Sequence, residues 1–182
     1  MTRQLPLALC LPHSPALDEF VAGRNQVVVD ALHRALDTPG ETLVYLFGPA
    51  GCGRSHLLLG QCAAAERRGL RCAFLPLTER AALAPQMLEG LETLDLVAVD
   101  DVQAIAGDRE WEEALFALFN RCRDRATRMV FSADCGPAAL PLRLPDLRSR
   151  LAWGLSLSLQ PLDDAGRMQL LQSLAARRAL KL

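Results

Sequence analysis

Eight residues, Gly48-Pro49-Ala50-Gly51-Cys52-Gly53-Arg54-Ser55, constrain this chain more than any other stretch. They follow the apolar run Leu43-Val44-Tyr45-Leu46-Phe47 and precede a segment of helical character opening on Arg54-Ser55-His56. Strand, glycine loop and helix N-terminus therefore come in the order that a phosphate-binding loop requires, with glycines five apart and a basic residue and a serine closing the motif. Gly48, Gly51 and Gly53 can take positive φ and carry no Cβ, so successive N–H groups can converge on phosphate oxygens at the positive end of the following helix. Ser55 offers a hydroxyl to Mg²⁺. The alternative is a plain glycine-rich turn, which the flanking strand and helix argue against.

Arg54 stands where this pattern asks for lysine. A guanidinium is a planar fork rather than a compact point charge, so the geometry at the β- and γ-phosphates is not preserved. The expectation is nucleotide binding with weak self-catalysed hydrolysis. The chain holds a single lysine, Lys181, so a general preference for arginine also accounts for the replacement.

At 182 residues and 51% apolar, the chain has room for one domain with a proper core. No apolar run approaches the ~20 residues of a membrane span, and no signal pattern opens the chain, which places it in the cytoplasm. A net charge of −1 disfavours direct duplex gripping, so no sequence-specific DNA binding is expected. The six cysteines show no Cys-x-x-Cys spacing and read as reduced apolar residues, and the three histidines are too scattered for a metal site.

Residues 1–15 read as an extended arm, because Pro6, Pro12 and Pro15 oppose helix. Within it Gln4-Leu5-Pro6-Leu7-Ala8-Leu9 is apolar enough to fill a partner's pocket, or equally to lie along the domain or add an edge strand. Residues 16–182 read as one α/β domain. Helix is expected over 17–36, with the turn Phe20 to Asn25 ahead of its periodic part. Further helices are expected from Arg54 to Arg68 and over 79–91, interrupted by Pro85. Strands are expected at Cys72–Leu75, Leu94–Val99 and Arg128–Ala133, and a half-exposed edge strand at Leu155–Leu159. A helix around Trp111, Leu115, Leu118, Phe119 and Cys122 places Glu112, Arg123 and Asp124 away from its apolar face. The last helix is expected to turn Leu170, Leu171 and Leu174 inward.

Asp100 and Asp101 close the Leu94–Val99 strand, as the acids beside a phosphate loop do: the first for the Mg²⁺ shell, the second to orient an attacking water. A helix-capping pair is the plainer reading. Asp134 ends the next strand, within reach of a γ-phosphate. Arg148 and Arg150 lie two apart on a short helix and so point to different faces.

Together these elements, five strands with acids on the third and a polar residue ending the fourth, resemble an AAA+ nucleotide-binding core of the DnaA-related family. The resemblance is carried by Gly-Arg-Ser-His-Leu-Leu at 53–58, Ile-Ala-Gly-Asp at 105–108, Leu-Pro-Asp-Leu at 144–147 and Ser-Arg-Leu-x-Trp-Gly at 149–154. It implies a P-loop three-layer αβα fold on a five-stranded, mostly parallel sheet, binding ADP or ATP with Mg²⁺. Within the family, Arg54 and Gln4–Leu9 resemble the short Hda-type branch of regulatory inactivators. For that branch the resemblance implies binding of the DNA polymerase III sliding clamp through Gln4, Leu5, Leu7 and Leu9, and stimulation of ATP hydrolysis on DnaA. It further implies Arg150 as an arginine finger, Asp134 as sensor 1, and the segment bearing Phe20 and Asn25, with His56, near the base. The resemblance also implies a possible homo-oligomer and a helical lid after the core; the sequence stops at Leu182 before one, so the expectation is a core that is either naturally lidless or truncated. A surface salt bridge is the plain reading of Arg150. Rival functions are an ATPase of helicase-loader type working by its own hydrolysis, a P-loop kinase, and a scaffold.

Overall fold

The computed structural model describes residues 16–37 and 43–177. The Gln4–Leu9 arm and Cys10 lie outside the described residues. Five strands, β1 (Leu43–Phe47), β2 (Cys72–Pro76), β3 (Leu96–Asp100), β4 (Arg128–Ala133) and β5 (Leu155–Ser158), form one sheet in the order β2-β3-β4-β1-β5. Every pairing is parallel. The sheet is thus wholly rather than mostly parallel, and its carboxyl ends all open on one edge, where ligands bind in such folds.

Period-two alternation decides which side chains face which layer. Val44, Leu46, Leu96, Ala98 and Val130 pack with α1 (Gln26–Asp37) and α2 (Arg54–Arg67) on one face. Tyr45, Val97, Val99, Met129 and Phe131 pack on the other with α3 (Arg109–Asp124) and α4 (Pro145–Leu151). Because both faces are covered, the central strands read as continuous apolar runs. The result is a three-layer αβα core. At the edge, β5 pairs with β1 alone and is largely exposed, as its alternating Leu-Ser pattern predicts.

Several local expectations are corrected. Residues 79–91 form no α-helix. Three short 3-10 segments, Leu77–Ala82, Pro85–Leu88 and Leu91–Thr93, take their place. Pro85 supplies no N–H, and Gly90 at φ 85° ends any continuation. Ahead of α1, residues 17–25 likewise hold only two 3-10 turns, Leu17–Glu19 and Gly23–Asn25. In α5 (Asp164–Arg177) Leu171 and Leu174 are exposed rather than inward, at 56% and 40%. Glu112, expected on the polar face of α3, is fully buried.

Among the described residues no helix is long and apolar enough to cross a membrane, and no group of three or more metal-ligating side chains clusters. The five described cysteines are all free thiols. Burial pushes the Cys122 thiol up to about 12 and raises that of Cys52, so both are inert apolar fillers.

Candidate nucleotide site

The glycine loop runs from the end of β1 into the first turn of α2. Gly51 and Gly53 sit at φ 79° and 98°, the left-handed region that favours glycine. Gly53 is doubly constrained: a Cβ there would come 2.5 Å from Cε2 of Phe20. Gly48 is bare for another reason, since a Cβ would meet the Leu159 carbonyl oxygen at 2.5 Å. Among the described residues, the N–H groups of Gly51 and Gly53 have no backbone acceptor. They sit at the head of a fourteen-residue helix, where an anion is favoured. That arrangement fits a phosphate.

Arg54 turns back into the protein. Its Nη1 donates to the Gly48 carbonyl oxygen, and its Nη2 donates to Oδ1 of Asp101 at 2.8 Å. The pair is well shielded, with 11% of the Arg54 side chain and 18% of that of Asp101 exposed. Gln103 donates to the same Oδ1 at 2.8 Å, and its own Oε1 accepts the Asp134 N–H at 3.2 Å. Asp101 itself holds φ 56°, uncommon for a residue with a side chain. Its N–H donates to Ser132 Oγ at 3.0 Å, and the Ser132 hydroxyl donates to Oδ1 of Asp100. The two acids are therefore held apart: Asp100 buried and bonded to Ser132, Asp101 facing Arg54 and Gln103.

Ser132 and Gln103 are residues that sequence reasoning missed. The only signal for Ser132 is a lone hydroxyl inside the apolar run Met129–Ala133. Gln103 carries none, because its partners are set by the turn Val102–Ile105 after β3. Asp134 stays exposed at the end of β4, while the Asp100 carboxylate is met by Ser132. Tyr45, one strand position below, donates to the Cys135 carbonyl at 2.9 Å, and burial pushes its phenol up.

The chemistry of the donors also fits Mg²⁺: Asp100 keeps a carboxylate oxygen beyond the one Ser132 holds, and the exposed Ser55 hydroxyl opens α2, both hard oxygens.

Phe20 covers the loop from the α1 side, its ring centroid 5.4 Å from that of His56. Asn25 is buried and clamps: its Nδ2 donates to the Gln160 carbonyl at 2.9 Å and its Oδ1 accepts the Gln160 N–H at 2.8 Å. This reciprocal pair ties segment 20–25 to the chain leaving β5, so the Asn25 amide positions the segment.

Glu112, expected on the polar face of α3, has a role that its position in the sequence does not announce. Its carboxylate accepts three backbone N–H groups, from Gly107 at 2.8 Å, Arg143 at 3.1 Å and Leu144 at 2.7 Å. It thereby fastens the turn before α3 to the chain entering α4, the helix that carries Arg150. Pro145 begins α4, and Leu147 and Leu151 bury one face of it. Among the described residues Arg150 makes no salt bridge.

A glycine loop at the head of a helix, two acids ending an adjoining strand and a five-stranded parallel sheet between helical layers define an AAA+ P-loop nucleoside-triphosphatase core. Comparison with known proteins narrows this. The family "Bacterial DnaA ATPAse domain" matches residues 11–158, and the chain belongs to that family. Among solved structures it is similar to AMPPCP-bound DnaA from Aquifex aeolicus (22% identity, TM-score 0.80, 96% of this chain and 58% of that one). It is similar also to domain III of Thermotoga maritima DnaA (23%, 0.82, 95% and 78%). Protein NMB1076 from Neisseria meningitidis matches over its whole length (27%, 0.51, 88% of this chain and 100% of that one). The chain spans 56–58% of the length of the first solved replication initiators that it matches.

Proposed function

We propose that this chain is a regulatory AAA+ module of replication that holds an adenine nucleotide, with ADP as a structural ligand, and accelerates hydrolysis of ATP bound to DnaA. In this reading Gln4, Leu5, Leu7 and Leu9 dock on the sliding clamp, Arg150 reaches the partner's nucleotide, and the outcome is negative control of re-initiation. The N–H groups of Gly51 and Gly53 receive the phosphates, and Phe20 and His56 close the base side. Ser55 and Asp100 hold Mg²⁺, which when bound offsets phosphate charge. Arg54 and Asp134 remain beside the phosphates as local polar groups.

The observation that carries the proposal is Arg150: a half-buried guanidinium without a carboxylate partner among the described residues, on a helix braced by Glu112. An arginine offered to another subunit's nucleotide meets charge that develops in the transition state, which is worth roughly 10³–10⁵ in rate. The rival reading, an ATPase working by its own hydrolysis, needs Asp101 free to orient water, whereas Arg54 and Gln103 both occupy its Oδ1.

The test is the rate at which DnaA-bound ATP becomes ADP in the presence of clamp loaded on DNA, with this protein, with its Arg150→Ala variant and with no addition. Acceleration that disappears with Arg150 supports the proposal. Turnover by the chain alone that depends on Asp101 and Mg²⁺ would replace it with the rival.

A further inference from the structure

The turn that closes α4 builds a second feature around Arg150. The Trp153 N–H donates to the Arg150 carbonyl at 3.1 Å, three residues back, so the indole is brought alongside the arginine side chain. The guanidinium carbon lies 3.9 Å from the centroid of the ring. Just beyond, Gly154 passes so close to β1 that a Cβ would stand 2.3 Å from Cγ of Leu43 and 2.4 Å from its carbonyl oxygen. From there β5 begins its pairing, Leu155 opposite Val44. The Trp153 backbone is thus fixed on both sides, by the helix end before it and the sheet after it.

The residue nevertheless remains 59% exposed, whereas the chain's other tryptophan, Trp111, is in the core at 6%. Trp153 is therefore a large aromatic carried at the surface on a fixed backbone, without contributing much to the core.

We propose that Trp153 is a positioning residue for Arg150, and that the stacked pair forms the surface that meets the phosphate of a nucleotide carried by a partner protein. This rests on the reading of Arg150 as a group offered in trans. Stacking engages the face of the guanidinium and leaves its in-plane N–H donors available, the donors that pair bidentately with phosphate oxygens. A free surface arginine would have to give up several rotatable bonds on docking. One already laid against the indole has lost much of that freedom beforehand, so less is lost in the complex.

Two measurements test this. The first follows hydrolysis of DnaA-bound ATP against the concentration of this protein, yielding a maximal rate and a half-saturating concentration. Trp153→Ala and Trp153→Leu should each lower the maximal rate by roughly tenfold and leave the half-saturating concentration unchanged. Trp153→Phe, which keeps an aromatic face, should retain most of the rate. If Trp153→Leu performs as well as Trp153→Phe, or if the loss appears only in the half-saturating concentration, the indole is an apolar contact and the positioning role is wrong. An effect of Arg150→Ala with none from any Trp153 variant overturns this inference alone. No effect of Arg150→Ala overturns the finger reading beneath it.

The second measurement needs no partner. In Trp111→Phe, Trp153 is the sole tryptophan, and adding Arg150→Ala should raise its quenching by acrylamide, because one face of the ring is uncovered. Should Trp111→Phe fold poorly, the same signal is the difference between the intact chain and Trp153→Phe, each with and without Arg150. Unchanged quenching would show that the ring and the guanidinium are not stacked in solution.

Discussion

The guanidinium of Arg54 lies 2.8 Å from the carboxylate of Asp101, joining the phosphate loop to the end of the third strand. With its other arm on the Gly48 carbonyl, Arg54 closes the loop upon itself. If the loop takes a phosphate as proposed, that phosphate competes with a carboxylate of the protein for the same cation.

Asp101→Asn removes that competitor while keeping the shape. We expect affinity for ADP to rise by about five- to tenfold, equivalent to about 1–1.4 kcal/mol, as measured by titration calorimetry. In the Arg54→Ala background the same substitution should change affinity little, because the two residues act as a pair. Weaker binding by Asp101→Asn would show that Asp101 assists the phosphate site instead of competing with it.

Glu112→Ala strands three backbone N–H groups that now bond to one buried carboxylate. Bonds to a charged acceptor are worth more than neutral ones, and their loss leaves donors unsatisfied, so stability should fall by roughly 3 kcal/mol or more. Glu112→Gln should cost less, because its amide oxygen can still accept the Gly107 and Arg143 N–H groups and only the Leu144 N–H is left facing an amide nitrogen that cannot accept. Urea unfolding would check both, and a midpoint shift within error would exclude the clamp.

Gly154→Ala should cost about 3 kcal/mol, because the Leu43 side chain and carbonyl leave no space for a methyl group. The collision lies at the start of β1 and of the edge strand β5, so amide exchange in Leu155–Ser158 should quicken before that in β3 and β4. Uniform protection equal to that of the native chain would refute the close approach.

Glu92 sets an acid dependence. Burial alone would raise its pKa, but hydrogen bonds from its own backbone and from Arg121, with the charge of that guanidinium 3.1 Å away, hold the carboxyl below its ordinary 4.5. A carboxylate depressed in the folded state stabilises above its unfolded pKa, and the contribution disappears as pH falls through the folded value. Between about pH 5 and 3, the native chain should lose stability more steeply than Glu92→Gln. Parallel curves of denaturant midpoint against pH would contradict this.

The motif order, the strands and the two acids were legible because they are written in contiguous residues. Apolar runs of four to six residues, glycines at fixed spacing and carboxylates just past a strand need no distant partner to be recognised. Local reading failed over 79–91, where apolar periodicity favoured helix but Pro85 and Gly90 prevented α-helical hydrogen bonding. It failed for α5, where leucines at helical spacing were assigned to a core that their helix does not reach with Leu171 and Leu174.

By itself, then, the sequence determined a phosphate loop between strand and helix, a parallel α/β core of the DnaA type, and the candidates Ser55, Asp100, Asp101 and Arg150. Only the tertiary structure decided what those residues touch. Arg54 meets Asp101 across 47 positions of chain, Glu112 meets Arg143 and Leu144 across 31 and 32, and Ser132 meets Asp100 across 32. Such contacts depend on the order in which strands assemble in the sheet, which hydrogen bonding between strands sets and no local pattern records.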